Sequence, residues 1–100
     1  MPSDLPDLLR QAKSQMDSGA SEEAYHTYSK AVLVARRSGH DSQVVPVLLG
    51  FAGALHRLGR AEQASLYVDE ARTRAGDDRN LQLLVERGSQ TLSGRGPQRQ

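Results

Sequence analysis

The chain has 100 residues, 37% hydrophobic and 25% charged, with a formal net charge of +1 and no cysteine. That length holds one domain with one modest core, and the missing cysteines exclude disulfides, thiolate catalysis and Cys-based zinc sites. A near-zero balance in which Arg and Lys are interleaved with Asp and Glu disfavours a nucleic-acid protein, because phosphate neutralisation supplies most of the affinity of such proteins.

Apolar residues recur at helical spacing throughout. The first helix is expected over about Asp4 to Asp17, with Leu5, Leu8, Leu9, Ala12 and Met16 on one face. Ser3 or Asp4 would cap it, and Pro6 falls in its first turn, where a missing N–H costs little. Ser18-Gly19 ends it. A second helix spans about Glu22 to Arg37, with Ser21 as the expected N-cap, Glu22 and Glu23 at the positive end of the dipole and Arg36 and Arg37 at the negative end. Gly39 stops it. The third, about Gln43 to Leu58 after Ser42, is apolar nearly all round and should be central. Pro46 is expected in its first turn.

The fourth helix runs from about Ala61 to Ala75, between Gly59 and Gly76. The fifth, about Arg79 to Leu92, is capped by Asp77 or Asp78 and places Leu81, Leu84, Val85, Gly88 and Leu92 on one face. Residues 93–100 carry no large apolar side chain and are expected to be disordered. The fold class is all-α, a single domain over 1–92.

An internal repeat lies within this pattern. Leu8 and Leu48, Ala12 and Ala52, Gly19 and Gly59, Ala24 and Ala64, Tyr28 and Val68, and Ala31 and Ala71 are pairs 40 residues apart. A fixed period of this size is the signature of a helical array. The run Leu58-Gly-Arg-Ala-Glu-Gln-Ala64 and the small and large positions around it resemble the tetratricopeptide repeat, in a long-period form similar to kinesin light chains and bacterial regulators with helical sensor domains. The first repeat departs at Gln11 and Gln15, where that family has large apolar residues, and Gly76 stands where it has proline.

The resemblance implies a short right-handed solenoid of stacked antiparallel hairpins, with repeats at about 5–37 and 45–76 and a capping helix at 79–92. It also implies a concave groove lined by the first helix of each hairpin. Carried onto this chain, one groove row holds Leu9, Leu49 and Val85, a second Lys13, Gly53 and Ser89, and a third Met16, His56 and Leu92 with Asp17 and Arg57 beside it. The function implied is a non-catalytic adaptor or regulator that binds a protein or peptide. The alternatives are a self-associating module, with homodimerisation closing the solenoid ends, and a nucleic-acid-associated regulator using the chain's arginines.

No chemistry competes with these readings. His26, His40 and His56 fall on three separate elements, so no metal site is expected. The pairs Glu22-Glu23, Asp69-Glu70 and Asp77-Asp78 are sequence neighbours, whose side chains point about 100° apart on a helix. No cofactor motif is present, no apolar run approaches the ~20 residues of a membrane span, and the amino-terminal residues do not read as a signal peptide. The expected compartment is the cytoplasm.

Overall fold

Alanine and glycine decide how the helices meet. Ala12, Ala24, Ala31, Ala35, Ala52, Ala54, Ala64, Ala71 and Ala75 are all buried, and their short side chains let neighbouring helices approach closely while Leu8, Leu48, Leu55, Phe51 and the valines of the third helix fill the remaining space. The computed structural model describes residues 4–93, and their side chains as far as residue 90. Among these there are five helices and no strand: α1 Leu5–Asp17, α2 Ser21–Ser38, α3 Asp41–Arg57, α4 Ala61–Ala75 and α5 Arg79–Ser93.

Each helix packs on the next, and α3 also packs on α5. α1, α3 and α5 share one open surface and so form one layer, with α2 packed on α1 and α3 and α4 packed on α3 and α5 as the other. Val44, Val45, Val47, Leu48 and Leu55 of α3 are the largest side chains fully withdrawn from solvent, which makes α3 the central helix, as its apolar circumference requires.

The repeat is present in the backbone. Gly19 and Gly59 both have positive φ, 85° and 79°, a conformation glycine adopts without penalty. Around them the same bonds recur 40 residues apart. Ala20 N–H donates to the Gln15 carbonyl and Arg60 N–H to that of Leu55. Ala24 N–H likewise donates to Ala20 and Ala64 N–H to Arg60. The two hairpins therefore turn in the same way.

Gln15, an exception to the apolar pattern, has a local explanation. The buried Thr27 hydroxyl donates to Gln15 Oε1 at 2.7 Å, with the Glu23 carbonyl 3.1 Å away as an alternative acceptor. Leu55 and Tyr67 stand at the equivalent positions of the second hairpin. An apolar pair there is replaced by a hydrogen-bonded pair in the first, which satisfies what would otherwise be buried polar groups.

Helix starts differ from expectation. Ala20, not Ser21, precedes α2, and His40, not Ser42, precedes α3. No side chain caps the starts of α1, α2, α3 or α4, so Asp4 occupies the cap position of α1 without bonding to it. Asp78 does cap α5, accepting from Leu81 N–H at 3.2 Å. With α3 starting at Asp41, Pro46 is in its second turn. The carbonyl of Ser42 loses its helical partner there, and both residues are exposed to water. Ser3 and the expected tail beyond Ser93 lie outside the described residues.

Polar ties reinforce the stacking. Glu70 on α4 accepts from Arg36 of α2 at 2.6 Å and from Arg74 at 3.0 Å, and Arg74 also reaches Asp41 of α3 at 3.3 Å. Partial burial raises the Glu70 carboxyl, but the hydrogen bonds and charges of Arg36 and Arg74 outweigh it and hold the group below its ordinary range. Arg57 of α3 donates to the Met16 carbonyl at the end of α1, at 3.0 Å.

Two outcomes are expected in thermal denaturation. Because Glu70 titrates lower in the folded than in the unfolded chain, its contribution is complete above the ordinary glutamate range and is lost as pH falls through the folded value. Glu70→Gln should therefore lower Tm at neutral pH and flatten the acid side of the stability–pH curve. A Cβ on Gly50 would lie 2.5 Å from Tyr28 Cε1, whereas one on Gly53 would meet nothing within 4 Å. Gly50→Ala should cost about 1–3 kcal/mol through overpacking, while Gly53→Ala should stabilise by up to about 1 kcal/mol through helix propensity. Adding Tyr28→Val should remove most of the Gly50→Ala penalty.

Candidate functional site

Three helices of one layer present the same spacing to one concave surface. Pro6, Leu9 and Arg10 of α1, Pro46, Leu49 and Gly50 of α3, and Leu84, Arg87 and Gly88 of α5 each follow i, i+3, i+4, and all line an open groove of about 920 Å³. Lys13 and Gly53 extend the first two rows by another turn, and Tyr28 reaches the groove from α2 in the layer below.

The floor is set by close approach. Tyr28 is 6% exposed, and its ring lies where the side chain of any residue but glycine at position 50 would project. Gly88 has the same function between α3 and α5, since a Cβ there would come within 3.0 Å of Leu49 Cδ2. Among the described residues, nothing lies within 4 Å of where a Cβ on Gly53 would be. Along the bottom the groove is therefore apolar and unobstructed.

Among the described residues, its polar side chains can all donate: the Tyr28 hydroxyl, Arg10, Lys13 and Arg87. Arg10 is paired with Asp7 at 3.1 Å, with both side chains well exposed, and such a pair screens its charge only partly. Tyr28 is the deepest of the four. Burial, and then the nearby charge of Asp17, raise its ionisation above the ordinary tyrosine range, so it remains a neutral O–H donor. No hydrogen bond joins that hydroxyl to another group among the described residues.

The expected groove rows are thus partly brought together. Leu9, Lys13, Leu49 and Gly53 line the groove. Val85 does not, because it is 2% exposed and packed in the core with Leu81. The two fill the space against α3 and α4, and that burial turns Leu84, Arg87 and Gly88 to the groove. Arg87, rather than Val85, occupies the place equivalent to Leu49.

Met16 is half-buried against the core, and Arg57 is engaged with the Met16 carbonyl. His56 lines a separate depression of about 270 Å³ with α4 and with Ser89 of α5. The side chain of Leu92 lies outside the described residues. Eight residues beyond those expected line the groove: Pro6, Arg10, Tyr28, Pro46 and Gly50, together with Leu84, Arg87 and Gly88 of the shifted α5 row. The 40-residue spacing of Pro6 and Pro46 and the shared i, i+3, i+4 pattern were the available signals.

Among the described residues no three His, Asp or Glu side chains gather as a metal would require, and no helix is long and apolar enough to cross a membrane. Compared with known proteins, the chain matches no family model, no curated protein and no solved structure.

Removing the Tyr28 hydroxyl should not harm the fold, because the group it would leave behind has no partner to orphan. Tyr28→Phe is expected to keep Tm unchanged or raise it slightly, measured by circular dichroism. A large loss of stability would show that the hydroxyl has a structural partner.

Proposed function

We propose that this chain is a non-catalytic protein-binding module, a short tetratricopeptide-like array that receives a peptide segment of a partner protein in the groove between α1, α3 and α5. The observation that carries the reading is the convergence of three helices, at matched spacing, on one open surface with an apolar floor and polar margins. Peptide-binding grooves combine these two features, apolar anchoring sites and a few oriented polar groups. The repetition of turn geometry at 40 residues supports the family likeness.

The nucleic-acid alternative has less to draw on. Arg36, Arg72 and Arg74 are paired with carboxylates, Arg57 with a carbonyl and Arg60 with the face of Tyr25 at 5.3 Å. These arginines are already engaged within the chain, and the net charge is +1.

Self-association is the second reading, motivated by Leu83 and Leu84 on α5, which are 52% and 38% exposed. Sedimentation at high micromolar concentration discriminates the two, and the mass of one chain is the expected result.

Gly53→Phe is the direct test of the groove. It fills the open space in front of α3 without meeting a neighbour at Cβ, so the fold should persist by circular dichroism. Partner proteins captured by the intact chain should be lost from this variant. Capture that is equal for both would place binding on another face.

A further inference from the structure

The charge of the groove identifies its occupant more narrowly. Among the described residues, no carboxylate lines it. Its margins carry Arg10 and Lys13 from α1 and Arg87 from α5, on either side of an apolar floor made by Leu9, Leu49, Leu84 and the glycines of α3 and α5. Carboxylates are plentiful elsewhere on this nearly neutral chain; Asp7 pairs with Arg10 at the edge of the groove, and the charge of Asp17 acts on Tyr28 from outside the lining. Between these margins sits the Tyr28 hydroxyl, a donor on a side chain more than nine-tenths buried, open to the groove and without a hydrogen bond among the described residues. A donor that the protein leaves unsatisfied and that opens on the groove is available to an acceptor bound there.

We infer that the groove takes an acidic amphipathic segment of a partner protein, with apolar side chains on the floor, Asp or Glu carboxylates against Lys13 and Arg87, and one acceptor on the Tyr28 hydroxyl. This deepens the protein-binding reading above and rests on it. The arrangement supplies apolar contact for affinity and single-sign charge for selection, since a basic segment would meet like charge on both sides. The chain's own residues 94–100 contain Arg95 and Arg99, no acidic side chain and no large apolar one, so their composition is wrong for this site. The Tyr28 hydroxyl remains protonated because burial, and then Asp17, raise its ionisation, which suits it to donate to a carboxylate or carbonyl.

A displayed library of random peptides, selected on the intact chain and counter-selected on Gly53→Phe, tests the inference. The expected outcome is enrichment of sequences in which Asp or Glu flanks apolar anchors. A synthetic copy of an enriched peptide should bind more weakly as salt is raised. Each charge reversal, Lys13→Glu or Arg87→Glu, should weaken it by about fivefold, and the double reversal should favour the same peptide with Lys in place of its acidic residues. Tyr28→Phe should weaken binding by about tenfold with no loss of Tm.

Enrichment of neutral or basic peptides that still depend on an open Gly53 would overturn the acidic assignment and leave the groove reading standing. Failure to enrich anything over Gly53→Phe would overturn both. A dimer that Gly53→Phe dissociates would overturn the partner assigned here, because the groove would then be occupied by a second copy.

Discussion

The contact between Tyr28 and Gly50 fixes the relation of the two hairpins. The tyrosine ring is wider than the alanines around it and sits between the first hairpin and the central helix. It fits only because residue 50 has no side chain. Several consequences follow from that one approach. The ring closes the bottom of the space between α1 and α3, the surface above it becomes a groove, and the hydroxyl is carried past Gly50 to that groove, where it makes no hydrogen bond among the described residues. Val68 occupies the equivalent position of the second hairpin and is likewise buried, so the feature belongs to the first hairpin alone.

Around this contact, aromatic and ionic ties span the layer of α2 and α4. Tyr25 of α2 stacks on Phe51 of α3 with centroids 5.4 Å apart, and Tyr67 of α4 meets the same ring edge-on at 4.7 Å. Near the ends of these helices Glu70 collects Arg36 and Arg74, and Asp41 joins through Arg74. Exposed pairs of this kind contribute little singly, typically below about 1 kcal/mol, but here they join three helices at a half-buried carboxylate. The cations of this network, Arg36 and Arg74, lie outside the groove, whose margin carries Arg10, Lys13 and Arg87.

The helices and their order were legible in the residues. Helical periodicity, glycines after each of the first four helices and the 40-residue repeat led to five helices, with α4 bounded as expected and Asp78 capping α5. Helix starts were less legible, because Ser21 and Ser42 have the chemistry of caps but the chain enters α2 and α3 one or two residues earlier, using Ala20 and His40 without side-chain bonds. The groove was legible where two repeats could be aligned, which gave Leu9, Lys13, Leu49 and Gly53. It failed on α5, which has no second hairpin after it to set the alignment.

What the sequence determined by itself was local: helical period, the turns at Gly19 and Gly59, and the repeat that makes two hairpins alike. These depend on backbone preference and on spacing along the chain, which are written in consecutive residues. Only the tertiary structure decided which apolar residues of α5 are interior, and hence that Val85 is buried while Leu84, Arg87 and Gly88 face the groove. It also decided that Gln15 answers Thr27 and that Tyr28 lies over Gly50. Each depends on how much space remains between helices that are distant in sequence, and that space is set by packing, not by the pattern of any one segment.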